Sequence, residues 1–393
     1  MDRLNVGVVG GSLGGLTAAC LLHDLGHEVT VFERSPRELE ERGAGIGYLK
    51  ATGRYLEQRA GVAAEAITVA TPYVRYLDRS GGVAHQSAHP YLFSSWNAVY
   101  RSTLASFPTD RYLLDHELVD FETGQDRAVA RFGNGTEFEG DLLVCADGIG
   151  SIVRARLQPD AVRRYAGYVA WRGVVSESVL GPDLTEQFGD AITYFVYENS
   201  HILIYPIPSV SGAVAPGERL VNFVWYRNHE DGDALADVLT DRHGVRRDLS
   251  VPPGAMAPDH DAEARAHAAA VLPPQINELI TATTDLFVQV VYDVEVDRMV
   301  FERTVLLGDA AFAVRPHAAA GTAKAADDGW TLAESLAAHG TVDAALSAWE
   351  PPRLALGRDL LERTRRIGWR SQVENSWTPG DTEFIFGLYK PGD

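Results

Sequence analysis

The chain opens with an apolar run, LNVGVV (residues 4–9), breaks on four glycines within the six positions GGSLGG, and resumes as LTAACLLHDLG with apolar residues at helical spacing. A short uninterrupted apolar run suits a strand covered on both faces, and the following spacing predicts a helix closed by Gly26. EVTVFER (residues 28–34) predicts a second strand, so this opening segment reads as a βαβ unit. The pattern returns twice. In GDLLVCADGIGSIVRARL (residues 140–157) an apolar strand ends in Asp147-Gly148 and leads to Ser151 and a helix carrying Arg154 and Arg156. In RTVLLGDAAFAVRPHAAAGTAKAADD (residues 303–328) a strand ends in Gly308-Asp309, and a Pro/Ala/Gly tract runs into a helix.

The middle of the chain has a different rhythm. VAWRGVV, AITYFVYENSHILIYPIP and RLVNFVWYRN are strand-like, rich in aromatics and joined by turns such as PSVSGAVAPGE. They predict an antiparallel sheet with one face toward a cavity. Residues 241–274 are polar and Pro-rich and predict a helical excursion. Residues 351–376 predict an exposed helix, and residues 377–393 an aromatic tail suited to covering a neighbouring surface or a second copy of the chain.

Composition narrows the class. At 393 residues, 46% apolar and 23% charged with 37 Gly and 19 Pro, the chain is long enough for two packed α/β domains around a cofactor. A net charge of -19 argues against nucleic acid and anionic membrane as partners. The two cysteines, Cys20 and Cys145, lie in separate apolar runs, which suits buried thiols in a reduced cytoplasm and supports neither disulfides nor a metal site. Residues 5–22 are nearly uncharged and about as long as a membrane span, but their clustered glycines read as strand, turn and helix instead. A cytoplasmic protein is expected.

The first turn carries the sharpest chemistry. Glycines let backbone amides approach a pyrophosphate at a helix N-terminus, and a carboxylate about 20 residues on can hold ribose hydroxyls. Gly10, Gly11, Ser12, Leu13, Gly14 and Gly15 form that turn, with Ser12 where a GxGxxG string has its middle glycine, and Glu33 and Arg34 end the second strand. Glu33 favours an unphosphorylated ribose, so FAD or NAD is expected rather than NADP. At the third strand end, Gly308 permits close approach and Asp309 can accept from a polyol hydroxyl. The helix beyond presents its positive end to negative charge on a reduced flavin.

With the βαβ turn and Glu33, the DG segment with Asp147 and Arg154, and the GD segment with Asp309 in that order, almost the whole chain resembles the FAD-dependent aromatic hydroxylases of the para-hydroxybenzoate hydroxylase type. YAGYVAWRGVV, HILIYPIP, VDRMV and RPHAAAG carry the likeness through the rest. The resemblance implies an α/β fold: a discontinuous Rossmann-like FAD-binding domain (residues 1–70, 98–165 and 290–349), an inserted antiparallel-sheet substrate domain (71–97 and 166–289), and a C-terminal helix and tail (350–393). It implies that Glu33 binds the adenosine ribose and Asp309 the ribityl chain, and that the DG segment at Asp147 contacts both FAD and a passing nicotinamide. It also implies that Arg101, in AVYRSTLASF, lies near the pyrophosphate and Leu118 against adenine. Many relatives read PxxGQGxN after the GD motif, whereas here Pro316 is followed by His317-Ala318-Ala319-Ala320-Gly321-Thr322-Ala323. Backbone amides at Pro316 and Ala320 to Ala323 can still meet the flavin, since that contact needs no side chain.

The activity implied is single-component hydroxylation: NADH or NADPH reduces FAD, and a flavin C4a-hydroperoxide delivers oxygen from O2 to a small hydroxylated pyridine or phenol. His317 is the candidate base or orienting group, because an imidazole of pKa about 6.5 suits a ring hydroxyl. His201 and Tyr205 come next, with Arg172, Tyr226 and Pro316 as further substrate contacts. A flavin reductase of the same fold, or a non-catalytic FAD-binding protein, would share these motifs. Either a monomer or a homodimer is compatible with the sequence.

Overall fold

The computed structural model describes residues 2–39 and 45–393. Each apolar run of the opening pattern is a strand of one six-stranded sheet, ordered Val300–Phe301, Thr304–Leu306, Leu142–Cys145, Asn5–Val9, Glu28–Phe32, Tyr112–Leu113. All pairs but the first are parallel. Val6, Val8, Leu142, Val144, Val305 and Leu306 are wholly buried, as parallel strands covered on both faces must be. Helices Leu13–Asp24 and Gly321–Ala338 pack on each other, and a methyl group on Gly329 would lie 2.9 Å from the Ala18 side chain. The register sets Val9 beside Cys145 and Cys145 beside Leu306. The three strand ends that carry Gly10, Asp147 and Asp309 therefore lie side by side at one carboxyl edge.

The aromatic middle builds a nine-stranded sheet. Its order is Ser250–Val251, Phe287–Asp293, Arg164–Ser176, Leu220–Asn228, Ser200–Ile207, Ala191–Tyr197, Val69–Leu77, Val83–Ser95, Gly45–Gly47. Every pairing is antiparallel except Ala191–Tyr197 with Val69–Leu77. The period of two divides its side chains. Val169, Trp171, Ile202, Ile204, Phe223 and Trp225 share a core with the helices Pro258–Val271 and Pro274–Ala282. Tyr168, Ala170, Leu203, Tyr205, Val224 and Tyr226 face the other way, toward the six-stranded sheet's half of the molecule. A third, antiparallel sheet joins Leu118–Thr123, Ala128–Phe132 and Glu137–Gly140.

Two expectations change. Residues 241–274 hold the short strand Ser250–Val251 as well as the helix Pro258–Val271. The helix expected to be exposed is part of Val342–Gln372, which runs through Pro351 and Pro352 and buries a full stripe. Leu356, Leu360, Thr364, Ile367 and Ser371 recur at helical spacing on that stripe, and Gly357 and Gly368 admit Phe312 and Tyr168 at contacts no larger residue allows. Of the two surfaces expected for the aromatic tail, it covers a neighbouring one of its own chain: Trp377 stacks on Phe384 at 3.9 Å and its indole N–H donates to the Tyr76 hydroxyl at 3.2 Å.

Candidate active site

The glycine turn is built as its chemistry requires. Gly10 has φ +100°, and a Cβ there would lie 2.3 Å from the Ala146 carbonyl oxygen; one on Gly15 would lie 2.0 Å from the Gly10 oxygen. No side chain fits at either position. Ser12 is the N-cap of helix Leu13–Asp24, though its hydroxyl makes no capping bond. The Glu33 carboxylate accepts the Gly11 N–H and the Ser35 N–H, both at 2.9 Å, which fixes it at the mouth of the turn.

A cavity of about 410 Å³ opens here, and Gly10, Ser12, Glu33, Arg34, Leu118 and Asp147 are on its wall. Asp147 accepts the Ile152 N–H at 3.0 Å with one oxygen, while the other is buried with no partner. Burial raises its pKa above the usual carboxylate range, opposed by bonds from Ser151 and its neighbours. Arg154 points away from this cavity, donating to the Ala310 carbonyl at 3.0 Å and the Ile149 carbonyl at 2.5 Å, and so ties the DG loop to the GD loop.

A second cavity, of about 580 Å³, adjoins the first, with Ser12, Ile46, Trp96, Arg172 and Gln289 on the walls of both. One side of it is Leu13, Gly14, Asp309, Pro316, Gly321 and Thr322; the other is Arg172, Tyr205 and Tyr226 on the nine-stranded sheet. Asp309 is open to the cavity yet enclosed by the fold, and desolvation raises its pKa against the pull of the Lys324 ammonium. Its backbone is gripped from behind. Asp328 accepts the Gly308 N–H at 2.9 Å, and Lys324 donates to the Gly308 carbonyl at 3.1 Å and to Asp328 at 2.7 Å. Arg172 reaches the Gly45 carbonyl at 2.9 Å and Gln289 at 2.8 Å, while Tyr205 donates to the same Gly45 carbonyl at 2.9 Å.

The two histidines stand one layer behind this wall. His317 and His201 are buried with ring centres 5.4 Å apart, and Tyr226, which does face the cavity, packs on both at 4.8 and 4.6 Å. His317 Nε2 pairs with the Tyr168 hydroxyl at 2.6 Å, and His201 Nδ1 with the Ser371 hydroxyl at 2.5 Å. Burial pushes the His201 pKa down to about 3; burial, then His201 and Arg315, push His317 well below its ordinary value. Both imidazoles are therefore neutral near pH 7. Desolvation also holds the Tyr205 phenol at about 12 and raises that of Tyr226.

Other residues named from the sequence sit off the cavity walls. Gly11 and Gly15 lie inside the turn, Ala320 is the N-cap of helix Gly321–Ala338, and Ala323 is buried beneath it. Arg101 donates to the Val210 carbonyl at 3.1 Å and is on neither wall. Sequence reasoning missed Gln289, the strand Gly45–Gly47 and Phe386, all of which line the second cavity. Gln289 left a signal, a lone amide within the apolar strand FVQVVYD; Phe386 left none beyond belonging to an aromatic tail. Among the described residues no helix is long and apolar enough to cross a membrane, and no cluster of His, Cys, Asp or Glu could hold a metal ion.

Comparison with known proteins bears on what fills these cavities. A family described as NAD(P)-binding Rossmann-like domain matches residues 8–37, and one described as FAD binding domain-like matches residues 165–293. The 2,6-dihydroxypyridine 3-monooxygenase of Paenarthrobacter nicotinovorans is 36% identical to this chain, covering 98% of it and 96% of its own length. The chain belongs to the FAD-dependent aromatic hydroxylases. A solved structure of 2,6-dihydroxypyridine-3-hydroxylase from Arthrobacter nicotinovorans, 35% identical, superposes on this hydroxylase with a TM-score of 0.94 over 100% of it and 98% of that chain. The 3-amino-4-hydroxybenzoate 2-monooxygenase of Streptomyces cremeus is 28% identical over 93% of this chain and 88% of its own. A Klebsiella pneumoniae protein complexed with FAD and uric acid, 22% identical, shares the fold with a TM-score of 0.76 over 96% and 90% of the two chains.

The residues present in this hydroxylase fit FAD. A glycine turn that any Cβ would fill, a buried Asp147 oxygen without a partner, and two adjoining cavities suit an elongated dinucleotide.

Proposed function

We propose that this hydroxylase is a single-component monooxygenase that uses NADH or NADPH and O2, with bound FAD, to hydroxylate a small electron-rich ring of the hydroxypyridine or phenol class. The observation that carries the reading is the pair of adjoining cavities, one beside the glycine turn and Glu33, the other between Asp309 and the wall of Arg172, Tyr205 and Tyr226. In the first, the turn's amides would receive the pyrophosphate, Glu33 the ribose hydroxyls, and Leu118 the adenine. In the second, Asp309 would accept from the ribityl chain, and the backbone amides of the cavity-lining Gly321 and Thr322 would meet the flavin's pyrimidine edge, where an 18-residue helix presents its positive end. FAD, when bound, supplies the electron transfer and the oxygen chemistry.

The chain supplies orientation and charge. Arg172 would hold the substrate's ring oxygen as an anion, which raises the electron density of the ring. Tyr205 is committed to the Gly45 carbonyl, so Tyr226, kept protonated by its raised pKa, would donate to the substrate. His317 and His201, neutral and packed on Tyr226, would act as orienting groups, since imidazoles with such lowered pKa values do not hold a second proton near neutrality. The apolar remainder excludes water.

The test is oxidation of NADH and NADPH by the FAD-loaded protein with 2,6-dihydroxypyridine, other hydroxypyridines and polyhydroxylated phenols. Ring-stimulated O2 uptake, with a product one oxygen heavier and labelled from ¹⁸O₂, is expected. Ring-dependent oxidation of NAD(P)H without O2 uptake would make the protein a reductase. Bound FAD that no ring and no nicotinamide perturbs would make it non-catalytic. Either result overturns the proposal.

A further inference from the structure

The last eight residues of the chain reach the second cavity, although they are the farthest in sequence from the nucleotide turn. Phe386 is on the cavity wall, where the strand Gly45–Gly47, the nine-stranded sheet and the turn Pro316–Ala318 converge. Its ring packs on Tyr91 at 4.7 Å and meets Phe93 edge-on at 6.4 Å; Phe93 in turn stacks on Tyr205 at 4.1 Å. Phe386 thus belongs to a row of aromatic rings, between Tyr91 and Phe93, that ends on a phenol of the proposed substrate wall.

The segment is fastened on both sides of that ring. The Phe386 N–H donates to the Tyr91 hydroxyl at 3.1 Å, on the nine-stranded sheet. The Gly387 N–H donates to the Ala318 carbonyl at 3.3 Å, beside the cavity-lining Ala319, and the Gly387 carbonyl accepts from Arg363. The N–H groups of Leu388 and Tyr389 donate to the Asp393 carboxylate, closing a turn, and the Tyr389 hydroxyl donates to Asp327. Asp327 precedes Asp328, the residue that grips Gly308. A surface tail without a role in the cavity would not need attachments to the sheet, the turn after Asp309 and the cofactor helix together.

We propose that the C-terminal segment is a structural wall of the substrate site, and that Phe386 is a specificity-determining residue that packs against the ring and limits the size of its substituents. This rests on the proposed function for the identity of the ring. A phenyl group held by packing on both neighbours and by hydrogen bonds of its own backbone presents a rigid apolar face, and aromatic pairs of this kind prefer offset or edge contact with another ring. Removing it widens the cavity without touching the residues of the nucleotide turn.

The test is a titration of the FAD-loaded protein, following the flavin absorbance, with 2,6-dihydroxypyridine, its 4-propyl analogue, and a panel of phenols, for the wild type, Phe386→Ala and Phe386→Leu. Phe386→Ala is expected to weaken binding of the unsubstituted ring by about tenfold and to improve the 4-propyl analogue relative to it, with FAD content unchanged and Phe386→Leu between the two. A KM that rises more than kcat falls in turnover assays would agree. Equal affinities and an equal preference in wild type and Phe386→Ala would overturn the proposal. If Phe386→Ala fails to fold, Phe386→Leu decides by the same comparison. A wild type that binds no ring of the panel would instead overturn the proposed function itself.

Discussion

The buried imidazoles predict a specific acid sensitivity. His201 has an ordinary pKa of 6.5 when unfolded and about 3 in the fold, because burial penalises its cation. Between those values the unfolded chain binds a proton that the folded chain refuses, so stability is present in full above pH 6.5 and is lost as pH falls below it. At about 1.4 kcal/mol per pH unit, the step from pH 8 to pH 5 should cost about 2 kcal/mol from this one group. His317 acts in the same direction. The perturbation is His201→Gln, which removes the titration while leaving an amide to meet Ser371. The assay is equilibrium urea unfolding of the FAD-saturated protein at pH 8 and pH 5, followed by tryptophan fluorescence. The replacement lowers stability at both pH values, but the variant should lose about 2 kcal/mol less than the wild type between them. Of the other groups His317 feels the change, and burial, the larger cause of its lowered pKa, remains in the variant, so the difference reports chiefly on His201. Equal losses would refute the assignment of a neutral, desolvated imidazole.

Other consequences are independent of that pair. Lys324→Met strips the buried Asp328 carboxylate of its nearest cation and the Gly308 carbonyl of a donor, leaving Arg353 at 3.8 Å, and should cost about 3 kcal/mol in urea unfolding; a loss under 1 kcal/mol would contradict the grip described for Gly308. Asp309→Asn should weaken FAD binding roughly ten- to hundredfold, as expected for loss of a charged hydrogen-bond acceptor, measured by quenching of flavin fluorescence; unchanged affinity would remove Asp309 from the ribityl site. Arg172→Lys should raise KM for the ring by about tenfold while retaining FAD, because one ammonium cannot replace the planar fork that spans Gly45 and Gln289; an unchanged KM would show that the anion lies elsewhere.

What the sequence by itself determined is local. Gly10 takes a φ of +100° and Gly15 stands where the Gly10 carbonyl leaves no volume for a Cβ, demands met within six residues of chain. Glu33, Asp147 and Asp309 were legible because each ends an apolar strand, and the period of two in the aromatic middle already divided Trp171, Phe223 and Trp225 from Tyr168, Tyr205 and Tyr226. Which of those two faces meets the cavity was not written in the period, since alternation is the same viewed from either side. Nor could local pattern bring His201 beside His317, set Asp328 behind Gly308, or carry Phe386 to the strand Gly45–Gly47. Those juxtapositions follow from strand order and from the path of one long helix and its returning tail. Strand order is selected by how whole sheets and helices bury their surfaces together, a sum over contacts distant in sequence that no window of residues contains.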